Sequence, residues 1–352
     1  MIKTYKYIET DHCKLHEFII AFFERIENET GVFDDSFFHP DFLPIANKHP
    51  RIIKKRCINI YNTLKTWAPS DKTQFIQQIK DSNEIEQICT GLKKPLDETQ
   101  LPSDISSDLK KLFICLYEDV LKTCEVFINK YGSLKDHFKR FKEEPNDYII
   151  CPVCGIQTVK TIHDKDRDQY DHYLPKDLYP LLSVNFRNLV PICTECNSLL
   201  VKGKKDVLKQ TTGKLFYPYD EYHKSIKVEF SIVKDDSDIG NIDWTISYSN
   251  ADNKNDEIAS WKYIYNIEQR YTDFTKGRLK KWYKNYWDTM NKVNLKHIPL
   301  VDRQLVYFTS LEIGEEQYLN FIQFPALKAL REQSLFVKAE QEAKLYSLPI
   351  KK

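Results

Sequence analysis

The segment that decides the fold of this chain runs from Cys151-Pro-Val-Cys154 to Cys193-Thr-Glu-Cys196-Asn197. Each end carries two cysteines separated by two residues, and the 38 residues 155–192 lie between the pairs. A short turn of this kind directs both sulfurs of a pair at one point, and four thiolates complete the tetrahedral shell of Zn²⁺. No position of that shell stays open. The spacing therefore predicts a structural zinc, which would contribute directly to folding.

Polar residues between and after the cysteine pairs predict a second site. Asp171 and His172 are adjacent in a short extended run at 169–174, so they point to opposite sides of it. Asn197 directly follows the last cysteine, where a short helix is expected to begin, and zinc could bring it near Asp171. One carboxylate and one amide oxygen form a sparse site that suits Mg²⁺ or Mn²⁺, with waters and substrate phosphate as the other ligands. A neutral His172 can then deprotonate the attacking water.

Residues 151–205 resemble the HNH endonuclease family, whose ββα-metal fold is often pinned by doubled Cys-x-x-Cys knuckles. The resemblance implies that Asp171 and Asn197 bind the catalytic divalent metal and that His172 is the general base. It also implies that Asn188 holds the loop between the strands and so orients this base. Family members often continue Cys-Asn-x-x-Lys, whereas the first lysine after Asn197 here is Lys202, which leaves the role of the lysines open. The candidate phosphate contacts of the segment are Lys176, Lys202, Lys204 and Lys205.

A longer set of matches resembles a prokaryotic subgroup of that family. This subgroup includes the HNH subunit of Septu-type anti-phage systems, which works beside an ATPase. The resemblance therefore implies a role in anti-phage defence, with an ATPase subunit as a partner. The chain contains no Gly-rich phosphate loop followed by Lys-Ser/Thr, so an ATP-driven step would need another chain. The matching stretches are Asp171-His-Tyr-Leu-Pro-Lys176, Tyr179-Pro180, Ser183-Val184, Asn188-Leu-Val-Pro191 and Tyr217-Pro-Tyr-Asp220.

The flanking sequence predicts a mainly α-helical protein with a small α+β insert. Residues 1–145 predict a helical lobe, most clearly between about Ser103 and Tyr131, where apolar residues recur every three or four positions. Residues 146–210 form the predicted zinc-stapled ββα-metal nuclease module. Residues 211–352 combine further helices with a predicted β-hairpin, because apolar and polar residues alternate over 226–232 and again over 242–248.

Composition and charge narrow the possible partners. No apolar run approaches 18 residues and no signal-peptide pattern is present, so we expect a cytoplasmic protein without membrane association. The net charge is only +1, and any phosphate-binding surface must therefore come from a local patch. Residues 270–284 contain six basic residues and one acid, with Lys276, Lys280 and Lys284 on one helical face. This face could follow a phosphate backbone, and a merely solvated helix surface is the alternative.

Together these features favour a metal-dependent endonuclease that hydrolyses phosphodiester bonds of DNA. An RNA nuclease, such as one that acts on transfer RNA, is an alternative that the motif leaves open. A second alternative is a zinc-stabilised adaptor that binds nucleic acid or protein without catalysis. The joint presence of Asp171, His172 and Asn197 favours the nuclease, because a purely structural zinc ribbon does not need these residues.

Overall fold

A computed structural model describes residues 4–143, 145–209, 213–220, 226–236, 238–250, 252–292, 295, 297–314, 319–331, 333 and 336–341. The chain forms two compact units. One comprises Thr4–Val153 and Gln157–Tyr222, and the other comprises Met1–Lys3, Cys154–Ile156 and His223–Lys352. The regions expected as a helical lobe and a nuclease module thus lie mostly in one unit, and their division into separate domains stays a prediction. Residues 342–352 of the expected C-terminal region lie outside the described residues.

The first unit begins with a series of helices joined by short loops. Helix α1 shows why they form: its apolar side chains recur at spacings of three and four from Leu15 to Ile26, and all of them are buried on one face. The last helix of the series starts with a capping box made by Ser133 and Asp136. The helices are α1 (Lys14–Ile26), α2 (Leu43–Lys48), α3 (Lys55–Leu64), α4 (Pro69–Ser82), α5 (Ile85–Cys89), α6 (Ser106–Cys115), α7 (Glu125–Tyr131) and α8 (Leu134–Phe141).

The long helix expected between about Ser103 and Tyr131 is interrupted. After α6 the chain widens into a π-helical segment at Leu116–Leu121, and Cys124 then adopts an extended backbone before α7 begins. Apolar residues keep a helix-like spacing through the break, so the sequence pattern alone does not reveal it. Such wide turns are frequent at functional sites. Here the turn carries Tyr117, a neighbour of His172.

One continuous hydrophobic core joins these helices to the cysteine-bearing segment. Helix α6 packs against α3 and against a short 3₁₀ turn at Pro180–Leu182. The helices therefore hold the segment that carries the candidate site in place through core packing. The segment contributes Tyr170, Leu181, Val184, Phe186 and Leu189 to this core.

Two short strands lie between the cysteine pairs. Strand β1 (Tyr170–His172) pairs antiparallel with β2 (Leu189–Pro191), and the register places His172 opposite Leu189. The extended run predicted at 169–174 is thereby confirmed for its central residues. Because adjacent residues of a strand point to opposite faces, Asp171 and His172 enter different surroundings.

The helix expected after Cys196 is not observed. The described residues 194–204 form successive turns and bends instead. Their backbone hydrogen bonds follow no single helical pattern, because the amide of Val201 donates to Ser198 three residues back at 3.1 Å, whereas that of Lys202 donates to Cys196 six residues back at 3.3 Å. Leu199 and Leu200 are 81% and 88% exposed, and of this apolar run only Val201 is buried, so little buried apolar surface is present to stabilise a helix here. The described part of the segment thus shows two strands and turns, without the helix of a ββα module.

The second unit contains a hairpin followed by helices. The hairpin pairs β3 (Lys227–Lys234) with β4 (Asp243–Ser249) in antiparallel register, which confirms the prediction from alternating residues. Helix α12 packs on β3 and also contacts α10 and α11. Among the helices of the described residues, none combines the length and apolar character needed to cross a membrane. The helices are α9 (Asn255–Tyr265), α10 (Ile267–Met290), α11 (Leu300–Ile313) and α12 (Asn320–Leu330).

Candidate functional site

The four cysteines of the two pairs meet in one buried cluster. The Sγ atoms of Cys151, Cys154, Cys193 and Cys196 all lie within 4.8 Å of one another. In an ideal tetrahedron with Zn–S bonds of about 2.3 Å, the sulfurs are about 3.8 Å apart, so the observed limit fits zinc. All nine cysteines of the chain are described, and none of them forms a disulfide. The cluster can therefore hold a structural metal such as zinc.

Local backbone geometry shapes the two cysteine turns. Gly155 follows the first pair with φ of 68°, in the left-handed region that glycine adopts without strain. In the second turn, the amide of Cys196 donates to Sγ of Cys193 at 3.4 Å. The side chain of Gln157 donates to the carboxylate of Glu195 and so links the two turns. The turns are therefore fixed by contacts other than a metal.

A buried lysine compensates charge beside the cluster. Zinc with four thiolates carries a net charge of −2, because four negative sulfurs exceed the charge of one Zn²⁺. Lys142 is 3% exposed, and its Nζ donates to the carbonyl oxygen of Tyr148 at 2.5 Å. Burial lowers the pKa of Lys142 to about 8, while the negative charges of Asp168 and Cys151 act to raise it. The charge of Lys142 therefore interacts favourably with the negative charge of Cys151.

Asp171 lies on the buried side of β1 and forms an ion pair with Lys202. The lysine Nζ is 2.9 Å from Oδ1 of Asp171, and it also donates to the carbonyl oxygen of His172 at 2.8 Å. The two side chains are 4% and 0% exposed. Burial raises the pKa of Asp171, and the adjacent ammonium of Lys202 acts to lower it. The second carboxylate oxygen, Oδ2, is buried without a hydrogen-bond partner among the described residues, so it could accept a cation.

His172 occupies a different environment on the other side of β1. Its Nε2 lies 3.0 Å from the carbonyl oxygen of Ser183, and its ring meets the edge of Tyr117 at a centroid distance of 4.4 Å. Since a carbonyl oxygen can only accept, Nε2 carries the proton and Nδ1 carries the lone pair. Nδ1 makes no hydrogen bond to any described residue. Burial lowers the pKa of His172 to about 3, so the imidazole is neutral near pH 7.

Asn188 ties the end of β1 to the start of β2. Its Oδ1 accepts from the amide of Leu174 at 2.7 Å, and its Nδ2 donates to the carbonyl oxygen of Leu174 at 3.0 Å. Its backbone oxygen accepts from the amide of Tyr173 at 2.8 Å. The side chain is completely buried. These bonds fix the chain just after His172, as the role implied by the family resemblance requires, and a part in catalysis stays a prediction.

Two tyrosines with no role predicted from the sequence bind the chain at the start of β2. The hydroxyl of Tyr217 donates to the carbonyl oxygen of Arg187 at 2.9 Å, and that of Tyr219 donates to Leu189 at 2.5 Å. Both tyrosines are buried. The Tyr-Pro-Tyr-Asp motif at 217–220 thus anchors β2. The sequence contained one indication of this role. The motif belongs to the stretches that resemble the prokaryotic HNH subgroup, although it lies beyond the second cysteine pair.

Asn197 is the predicted second metal ligand, and its side chain is not engaged in other interactions with described residues. The residue is half-buried, and its amide donates to the carbonyl oxygen of Cys193 at 3.1 Å. The carboxamide makes no hydrogen bond within the described part of the chain. Its oxygen is therefore available to a metal, although no contact joins Asn197 to Asp171 among the described residues.

The lysines expected as phosphate contacts are mostly engaged elsewhere. Lys202 has no exposed side-chain surface, so the expected nucleic-acid contact does not fit this conformation. Lys176 lies 3.3 Å from the carboxylate of Glu118, and Lys204 pairs with Asp177. Lys205 is half-buried, and burial lowers its pKa. These four lysines therefore offer little uncompensated positive charge to a phosphate backbone.

Comparison with known proteins adds a short similarity. Over 42 residues the chain is 50% identical to the Septu protein PtuB of Bacillus thuringiensis. The matched stretch is 12% of this chain and 16% of that protein, so the similarity covers a small part of either. No protein-family model and no solved structure matches the chain. This partial similarity hints at a role in anti-phage defence.

Proposed function

We propose that the chain is a metal-dependent HNH-type endonuclease that hydrolyses phosphodiester bonds of DNA in prokaryotic anti-phage defence. The observation that carries the proposal is the arrangement on β1. There His172 has an uncommitted Nδ1, and the adjacent Asp171 has an unpartnered Oδ2. The short similarity to a Septu protein supports the defence role. An ATPase subunit is the proposed partner and the cytoplasm the proposed location.

A catalytic Mg²⁺ or Mn²⁺ would be held by Asp171 and Asn197. The donors fit, since the buried Oδ2 of Asp171 lacks a partner and the carboxamide of Asn197 is uncommitted. Hard oxygen donors in small number are what Mg²⁺ uses beside substrate phosphates. When bound, the ion would polarise the phosphate and stabilise the charge that develops on the leaving oxygen.

His172 acts as the general base in this proposal. The bond from Nε2 to Ser183 keeps the proton on Nε2, so Nδ1 can take a proton from the attacking water. Contact with the edge of Tyr117 restricts rotation of the ring. Asn188 and Lys202 are positioning residues: Asn188 fixes the chain after the base, and Lys202 ties the backbone of His172 to the carboxylate of Asp171.

A cleavage assay with supercoiled plasmid tests this function. Zinc-loaded protein with Mg²⁺ or Mn²⁺ should nick or linearise the plasmid, and His172→Ala should slow cleavage about 10²–10⁴-fold, the usual worth of a general base. The matched control is His163→Ala, because His163 is exposed and lies outside the site. Equal rates for the wild type and His172→Ala would exclude His172 as the base. Labelled RNA in a parallel reaction decides between the two substrate classes.

A zinc-stabilised adaptor without catalysis is the second candidate, and one observation favours it. The ammonium of Lys202 already neutralises Asp171 at the position where a divalent metal is proposed. An adaptor would bind its zinc and remain folded, yet it would cleave neither plasmid nor RNA with any divalent metal. The same assay therefore separates the two candidates, provided that zinc content is measured on the same protein.

A further inference from the structure

A row of three exposed lysines follows one face of α10. Lys276, Lys280 and Lys284 are exposed, and they succeed one another at intervals of one helical turn. None of them forms an ion pair or hydrogen bond with a described residue. By contrast, Arg278 on another side of the helix lies over the ring of Phe274 at 3.6 Å. The three lysines are therefore free to bind an external anion.

Gly277 lies beside this row and adds no side chain to the surface. A glycine in a helix interior costs about 1 kcal/mol relative to alanine. A Cβ atom at this position would meet nothing within 4 Å, so packing does not require glycine here. The missing side chain lowers the helix surface beside Lys276 and Lys280. A ligand can therefore approach the helix closely beside these two lysines.

The aromatic residues of this region are not available for base stacking. Trp282 is 7% exposed, and Tyr283 packs against Trp287 and Phe336. Proteins that bind single strands usually present exposed aromatic rings to the bases. A surface with free lysines and no exposed ring instead suits phosphates, which are read without regard to sequence.

We propose that this face of α10, centred on Lys276, Lys280 and Lys284, binds the phosphate backbone of duplex nucleic acid. The need for such a surface follows from the candidate site, where Lys176, Lys202 and Lys204 are paired with acids. The choice of DNA as the polyanion rests on the proposed function. The nucleic acid would be recognised only through the charge of its phosphates and the distance between them.

The spacing of the lysines matches this partner. Residues four apart in a helix rise about 6 Å along its axis, so the three ammonium groups span about 12 Å. One strand of duplex DNA carries a phosphate about every 3.4 Å of axis, so the row can face three or four phosphates. Each neutralised phosphate contributes about 0.9 to the slope of log K against log salt. The row should then account for a slope of about 2.7.

Fluorescence anisotropy with a labelled 30-base-pair DNA duplex, without Mg²⁺ or Mn²⁺, tests the inference. The test variant is Lys276→Gln/Lys280→Gln/Lys284→Gln in the full chain. Its control neutralises the same number of charges at exposed lysines of the first unit, Lys55→Gln/Lys94→Gln/Lys111→Gln. We expect the α10 variant to lose affinity on the order of 10²-fold at 0.1 M salt, and its slope to fall by about 2.7. The control variant should bind like the wild type.

Three outcomes would overturn the inference. They are equal losses in both triple variants, no binding of the duplex by the wild type, and equally tight, α10-dependent binding of poly-glutamate, which would indicate an acidic protein partner. Circular dichroism verifies folding, and Lys280→Glu alone replaces the triple variant if that variant does not fold. Binding that depends on α10 without any plasmid cleavage would refute the nuclease and leave this surface intact.

Discussion

Replacing Lys202 by methionine should destabilise the protein far more than its position in a surface turn suggests. Methionine keeps most of the side-chain volume but removes the ammonium that pairs with Asp171 and holds the carbonyl oxygen of His172. Both partners of the pair are almost fully buried. Removing one partner of a buried ion pair typically costs about 3–5 kcal/mol, because the remaining charge stays uncompensated. We expect a loss of that size in the free energy of unfolding.

The loss should depend on pH in a defined direction. Without Lys202, burial alone acts on Asp171 and raises its pKa above the value in the unfolded chain. The folded variant then binds a proton that the unfolded chain has released, so its stability decreases as the pH rises between the two pKa values. The loss in free energy of unfolding of Lys202→Met relative to the wild type should therefore be larger at pH 8 than at pH 5. The double variant Asp171→Asn/Lys202→Met should recover part of the loss, because no buried charge remains.

Urea denaturation of zinc-loaded protein, followed by circular dichroism, measures these differences. The matched control is Lys204→Met, because Lys204 also pairs with an aspartate, Asp177, but its side chain is 72% exposed. Exposed pairs contribute little, so the control should unfold like the wild type. If Lys202→Met and Lys204→Met unfold at the same urea concentration, the buried Asp171–Lys202 pair does not stabilise the folded protein.

Three further predictions concern the cysteine cluster, Gly203 and His137. Cys196→Ser should release the bound zinc and lower the thermal midpoint, as measured by metal analysis and calorimetry. Gly203→Ala should cost about 1–3 kcal/mol in urea denaturation, because φ is +46° and the new Cβ would lie 2.8 Å from Cα of Leu199. Burial lowers the pKa of His137 to about 3, so this residue should contribute about 1.4 kcal/mol per pH unit to the loss of stability below pH 6.5, as measured by urea denaturation of the wild type and His137→Asn at several pH values.

Each of these predictions has a control. Cys57→Ala removes a buried cysteine outside the cluster and should keep zinc, and zinc retained by Cys196→Ser would contradict the four-cysteine site. Gly31→Ala meets open space and should be nearly neutral, so an equal cost at both glycines would refute the steric argument. For the histidine, the unfolded chain binds the extra proton between pH 3 and 6.5. His137→Asn should therefore reduce the slope of stability against pH by about 1.4 kcal/mol per pH unit, and an unchanged slope would show that other groups cause it.

The sequence predicted the features that depend on local spacing. Two identical cysteine intervals were enough to indicate the cluster, because few other structures require such a repeat. Alternating residues predicted the β3–β4 hairpin, since one face of each strand must be buried. The adjacent positions of Asp171 and His172 on an extended run also followed from the period of a strand.

Features that depend on tertiary contacts could not be predicted in this way. Nothing in the sequence near Lys202 indicates burial, because lysine is normally exposed and its partner Asp171 lies 31 residues earlier. Tyr117 reaches His172 through a π-helical turn that keeps an apolar spacing like that of an α-helix. The helix was expected to begin directly after Cys196, whereas the exposed side chain of Leu199 makes no contact with the core that would stabilise such a helix.

The most direct test of the proposed site is Mn²⁺ binding to zinc-loaded protein, followed by electron paramagnetic resonance. We expect one Mn²⁺ per chain in the wild type, and loss of that ion in Asp171→Asn and in Asn197→Ala. Asp177→Asn should retain it, because Asp177 pairs with Lys204 at the surface. Failure of the wild type to bind Mn²⁺, or equal binding by all three variants, would contradict a divalent-metal site at Asp171.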